Sequence, residues 1–369
     1  MNRRWRFDTA TGLRLEASRL APIAHGWLRC RVLRVQPSVT ELMLVRAAVT
    51  PNGAEGSAHD LGHEFVALVT ACGDGVDPSW SGQRIVCPPR GPCGCCRRCG
   101  AGEPWACERP FRLGVDAAGA MAEFVDLPAA HVLRLPATVS DLNACCSQPA
   151  ASAVANLVHV GMRPQERVLI LGQGTMGLLL LQAALTLGAA SVVTTAPRES
   201  TRTISRRLGA HASLAPDDPE LERYLADLNP TLVIDAAGGA RQVGLAANDT
   251  LSQALEHVAP YGTVLAISDM VTAVELPPAV RQRAVRLVFG QMGYYYGTYG
   301  FTLGLLGDGR IDCGPLVTHE LEGIERLPEA FDLMADRARS QAVQVQIVLA
   351  TAASRHGSEA TDQPPSRHG

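Results

Sequence analysis

RVLILGQGTMGLLLLQAALTLGA, residues 167–189, decides how the second half of the chain is read. An apolar run of buried-strand type ends at Gly172, glycines recur at Gly174 and Gly177, and apolar residues then continue for the length of a helix. In a strand–turn–helix unit the first glycine permits the tight turn, the second lets backbone approach a pyrophosphate, and the third lets helix and strand pack closely. Amides at the helix N-terminus then attract the phosphates. The next β-type run, SVVTTA at 191–196, follows at the distance such a unit requires, which a chance glycine-rich turn would not ensure. Its end discriminates between cofactors. VVTTAPRESTR has no acid at Thr195 or Ala196 to take ribose hydroxyls, and Arg198 and Arg202 follow, which favours NADP over NAD. Both arginines can also be read as merely solvated.

The same rhythm continues in TLVIDAAG (231–238) and GTVLAIS (262–268), with helical stretches through SRRLGA and LSQALEHVAP. Apolar strands alternating with helices imply a doubly wound parallel sheet over 151–295. Residues 1–150 instead show short β-like runs in LRCRVLRV (28–35), LMLVRAAV (42–49), EFVALVTAC (64–72), RIVCPP (84–89) and AEFVDLP (122–128), separated by long loops. The expectation is an α/β protein with a β-rich first domain. Residues 296–350 are mixed, and 351–369 hold almost nothing that could be buried and read as a disordered tail.

At 369 residues the chain has room for two cores with a cleft between them. Its net charge of -3 gives no general attraction to nucleic acid or anionic membrane, so a small-molecule partner is expected. All 33 basic residues are arginine, which excludes lysine Schiff-base and lysine general-base chemistry. MNRRWRFDTATG lacks an apolar core of signal-peptide length, and GLLLLQAALTLGAA is too short to span a bilayer; the reading is a cytoplasmic protein.

CGCCRRCGAGEPWAC places Cys93, Cys96 and Cys99 at successive steps of three, followed by Cys107. Thiolates so spaced on a Gly-rich loop converge on one ion, and four of them close a tetrahedral zinc shell with no open position, a structural site in a lobe over 87–110. Cys95 breaks the step and reads as a bystander able to replace Cys96. VRAAVTPNGAEGSAHDLGHEF, residues 45–65, ends in Gly62-His63-Glu64, which looks built to hold a metal.

With Gly62-His63-Glu64, the four-cysteine lobe and the glycine loop in this order, the chain resembles the medium-chain, zinc-type alcohol dehydrogenase family over about residues 10 to 350. The resemblance implies a GroES-like catalytic domain, formed by 1–150 and completed by 296–350, around a Rossmann domain. It implies NAD(P)-dependent hydride transfer between nicotinamide and an alcohol or carbonyl carbon, a catalytic zinc besides the structural one, and assembly as a dimer or tetramer. QPAASAVANLVHVGMRPQERVLILGQGTMG and GDGRIDCGPLVTHELEGIERLPEAFDLM are similar in layout to the polyol, sugar and cyclitol branch, which implies a small polyhydroxylated substrate.

The chain departs from that pattern where the catalytic zinc would sit. The resemblance implies a cysteine at the end of a strand, the histidine of Gly-His-Glu, and a cysteine or acid before the Rossmann domain. His63 and Glu64 match, whereas Thr50 falls on the cysteine position, Gln148 on the third ligand, and Asn52 where a proton-relaying hydroxyl is expected. Three readings stay open. Zinc persists with substitute ligands from His59, Asp60, Cys145 or Cys146; or the enzyme is a zinc-free reductase using Thr50, His63 or Tyr294 to Tyr296; or the chain is a catalytically inactive subunit that binds cofactor or a partner.

Overall fold

The computed structural model describes residues 1–47, 58–239, 241, 245–246, 249–268, 273–290 and 296–349. The stretch 351–369, expected to be a tail, lies outside them, as do Thr50, Asn52, Tyr294 and Tyr295. β1 (Asn2–Asp8) and β2 (Gly12–Ser18) form an antiparallel hairpin. In β3 (Trp27–Val35) buried Leu28, Cys30 and Val32 alternate with Arg29 and Arg31, the period-two pattern of a strand with one face in the core. α1 (Val39–Ala47) follows. β4 (Ala58–Asp60) joins β1, and β5 (Phe65–Cys72) pairs with β3. β6 (Arg84–Val86) extends this sheet. The short pair β7 (Arg90–Gly91) and β8 (Phe111–Arg112) brackets the cysteine lobe, which contains α2 (Arg97–Gly100). β9 (Phe124–Pro128) and β10 (Leu133–Arg134) pair with β3 and β6.

The run 42–49 does not form the strand expected of it: α1 occupies most of it. Ser38-Val39-Thr40-Glu41 is a capping box, in which Ser38 Oγ accepts from Glu41 N–H (3.1 Å) and Glu41 Oε2 accepts from Ser38 N–H (2.9 Å). Reciprocal satisfaction of two backbone donors starts a helix that the apolar run alone does not announce.

α3 (Asp141–Cys145) and α4 (Ser147–His159) lead into the second sheet. It contains β11 (Arg167–Leu171), α5 (Thr175–Thr186), β12 (Ser191–Thr195), α6 (Glu199–Arg207), β13 (Ala212–Leu214), α7 (Leu221–Leu228), β14 (Leu232–Asp235), α8 (Asp249–His257), β15 (Thr263–Ala266), α9 (Pro278–Gln282) and β16 (Arg286–Phe289). All six strands are parallel, in the order β13-β12-β11-β14-β15-β16, the doubly wound arrangement. Then come α10 (Tyr296–Gly307), β17 (Val317–Glu322), α11 (Leu327–Ala335), α12 (Arg337–Ser340) and β18 (Gln344–Val348). β18 lies parallel to β17 and antiparallel to β3, so the last strand enters the first sheet, ordered β10-β6-β5-β3-β18-β17.

The break placed between 150 and 151 falls inside α4. That helix buries Ala150, Ala151, Val154 and Leu157 in one apolar cluster with Leu178 to Leu181 of α5 and Leu303 of α10, so it belongs to neither side alone. No helix among the described residues is long and apolar enough to cross a membrane.

Candidate functional site: a metal lobe and a two-sided cleft

The Sγ atoms of Cys93, Cys96, Cys99 and Cys107 all lie within 4.8 Å of one another. Cys96 is 3.5 Å from Cys99 and 3.8 Å from Cys107. Zinc–thiolate bonds of about 2.3 Å place tetrahedral sulfurs about 3.8 Å apart, so these four residues fit a closed zinc shell. Cys95 stands outside it, exposed, with Arg109 Nη2 donating to its sulfur at 3.6 Å.

A cleft of about 1330 Å³ runs between the sheets, lined at one end by Gly174, Thr195 and Arg198 and at the other by Ser38, His63, Glu64 and Gln148. The glycine loop sits at the C-terminal edge of β11, between β12 and β14, where the strand order reverses. Gly172 has φ +97°, and a Cβ there would meet Ala237 Cβ at 2.6 Å; one on Gly177 would meet Gly172 O at 1.9 Å. Gly174 faces open space, as a residue whose backbone must meet a ligand should. Arg198 follows β12 and donates through Nη1 to the carbonyls of Arg337 (3.2 Å) and Ala342 (3.0 Å). Arg202 is committed elsewhere, to Ala196 O, Pro197 O and the Glu199 carboxylate.

At the other end, Glu41 Oε1 accepts from Gly62 N–H at 2.6 Å and from His63 Nδ1 at 3.2 Å. Gly62 has φ +103° and a Cβ on it would lie 2.2 Å from Met121 N, so only glycine permits the turn that aims His63 into the cleft. Burial opposes charge on His63, but the charge and hydrogen bond of Glu41, with Glu64 behind them, outweigh it and lift the imidazole to about 9. Glu41 moves oppositely: burial pushes its carboxyl up, yet His63 and the N–H groups of Ser38 and Gly62 hold it below its ordinary value. Burial lifts Glu64 to about 7 against the pull of His63 and of Gln36 Nε2, which donates to it. Gln36 in turn accepts from Gln346 Nε2 of β18 at 2.9 Å. Of this group, Ser38, Glu41 and Gln36 were not anticipated; the capping box was the available signal.

A catalytic zinc needs three protein ligands and an open position. The cleft presents His63 Nε2 and Glu64 Oε1, 4.0 Å apart, with the neutral oxygens of Ser38 and Gln148 beside them; Ser38 is already occupied by Glu41. The proposed substitutes turn away. Cys145 Sγ donates to Glu64 O (3.7 Å) and Cys146 Sγ to Gln36 Oε1 (3.3 Å). On β4, His59 stacks on Phe7 and Asp60 pairs with Arg6. Among the described residues the cysteine lobe is the only group of three or more His, Cys, Asp or Glu ligand atoms close enough for one ion. The described cleft residues do not fit a catalytic zinc, and no step below runs through one. The strand nearest this site is β3, which ends at Val35, and Ser38 just beyond it lines the cleft; Thr50, expected at the strand end, lies outside the described residues.

A model of the alcohol dehydrogenase GroES-like domain matches residues 28–137. L-threonine 3-dehydrogenase of Pyrococcus furiosus is 28% identical over 280 residues, covering 74% of this chain and 78% of the relative. In fold the chain is similar to galactitol-1-phosphate dehydrogenase from Escherichia coli, at 21% identity and TM-score 0.80, covering 94% of this chain and 100% of that one. It is likewise similar to an Escherichia coli alcohol dehydrogenase complexed with NADH, at 21% identity and TM-score 0.81, covering 94% and 99%. The matched domain and these relatives support the medium-chain, zinc-type alcohol dehydrogenase family. Within it, the protein is an alcohol dehydrogenase-like oxidoreductase.

Proposed function

We propose that the protein transfers hydride between NADP(H) and the carbonyl or alcohol carbon of a small hydroxylated molecule, with His63 handling the proton. The observation that carries this reading is the single cleft joining the glycine loop to His63. Bound nicotinamide supplies the hydride. Gly174 leaves backbone free for the pyrophosphate, and Arg198 without an acid at Thr195 suits a 2'-phosphate. Glu41 fixes Nδ1, which leaves Nε2 of His63 toward the cleft. An imidazole raised to about 9 is protonated near neutral pH, so the resting site is poised for reduction. Nε2–H of His63 would give its proton to the carbonyl oxygen as that carbon is reduced, and water would then reprotonate the imidazole. Alcohol oxidation needs the neutral imidazole and so should rise with pH.

The relatives are named for threonine and galactitol 1-phosphate, which supports a small molecule bearing hydroxyl groups. The cytoplasmic location, the homo-oligomer and the division into a GroES-like catalytic part and a Rossmann part belong to the same proposal. The test is NADPH oxidation by the purified protein with a panel of small hydroxycarbonyls. His63→Asn should lower kcat/KM about a hundredfold or more. Absence of turnover across the panel, or full activity in the variant, sinks the reading.

A further inference from the structure

α12 brings a second arginine to the same end of the cleft. Arg337 lines it beside Arg198, Thr195, Pro197, Thr201 and Pro216. The two segments are stitched together by the bonds from Arg198 Nη1 to Arg337 O and Ala342 O and by Ser200 Oγ to Gln341 Oε1 at 2.6 Å. These side chains are half-buried, yet among the described residues neither arginine forms an ion pair with a carboxylate. The nearby acids are engaged: Glu199 holds Arg202 and Arg206, and Asp336 caps α12 by accepting from Arg339 N–H. Burial, reinforced by the charge of Arg198, draws Arg337 down to about 10. Two like charges gathered without a counter-charge repel one another, and a bound anion would relieve that repulsion.

We infer that Arg337 and Arg198 close from opposite sides on one phosphate monoester, the 2'-phosphate of the NADP adenosine. This rests on the NADP reading above. The position selects that phosphate: the adenosine ribose of a dinucleotide lies at the end of the second strand of the sheet, here β12, and both arginines border that end. Guanidinium forks match a phosphate dianion in charge and geometry. Because Arg337 comes from the segment leading into the first sheet, cofactor choice is made by both sides of the cleft.

The test titrates the full-length protein and R337Q with NADPH, NADH and adenosine 2'-monophosphate. R337Q should weaken NADPH and adenosine 2'-monophosphate about tenfold or more and leave NADH nearly unchanged, and R337K should restore part of the loss. Equal weakening of NADPH and NADH, or no weakening of either, overturns the clamp. A wild-type protein that prefers NADH overturns the NADP reading itself, whereas NADPH preference retained in R337Q overturns only the role of Arg337. Should R337Q fail to fold, the NADPH-to-NADH ratio in R337K decides.

Discussion

Glu41 divides its carboxylate between two tasks: Oε2 closes the cap of α1 on Ser38, and Oε1 reaches Gly62 and His63. The start of a helix is thereby tied directly to the imidazole that lines the cleft. Glu41→Gln should lower the His63 pKa from about 9 toward its ordinary 6.5, moving the alkaline limb of the reductive pH–rate profile to lower pH. A profile that does not move removes Glu41 from the mechanism.

The same pair has a signature in stability. His63, raised on folding, stabilises fully below 6.5 and ceases to do so as pH rises through about 9. Glu41, lowered on folding, stabilises above 4.5 and ceases to do so as pH falls through its folded value. Chemical denaturation of Glu41→Gln against the parent should show its largest deficit between those ordinary values of 4.5 and 6.5, including ~1 kcal/mol for the cap. A deficit that instead grows above pH 9 would contradict the pairing.

Elemental analysis should return one zinc per subunit, held by the lobe. Cys107→Ser should remove it and lower the melting temperature, because the binding energy of a closed zinc site is also folding energy. Two zincs per subunit would place a second ion that the described cleft residues do not account for.

The glycine loop separates folding from binding. Gly177→Ala would drive Cβ to 1.9 Å from Gly172 O and should destabilise by several kcal/mol. Gly174→Ala meets nothing within 4 Å, so it should melt like the parent while losing cofactor affinity. Melting curves with parallel cofactor titration distinguish the two, and an unaffected affinity in Gly174→Ala would move the pyrophosphate off this loop.

Arg198→Ala should weaken NADPH about tenfold or more relative to NADH. An unchanged ratio would leave Arg198 as a strut between Arg337 O and Ala342 O.

The second sheet was legible because buried parallel strands read as apolar runs and its glycines sit where the backbone demands them. The lobe was legible because metal spacing is local. The catalytic end was harder. Residues 42–49 are apolar enough for a strand, and the reciprocal bonds of Ser38 and Glu41 are what start the helix at Val39–Ala47; Ser38, three residues after β3, then reaches the cleft with no metal-type side chain to mark it. Glu41 could not be linked to His63, or Arg337 to Arg198, by spacing, since each pair is joined only by tertiary packing.

The position of β18 also bears on when the enzyme can become active. Strands β11 to β16 are contiguous in the chain and can pair as they emerge from the ribosome, whereas Val35 of β3 waits for Ile347, and Gln36 beneath Glu64 waits for Gln346. Such distant pairing is slow. A chain interrupted before β18 would carry a paired parallel sheet while Gln36 and Glu64 still lacked the support of Gln346, so the two ends of the cleft are completed at different times during synthesis.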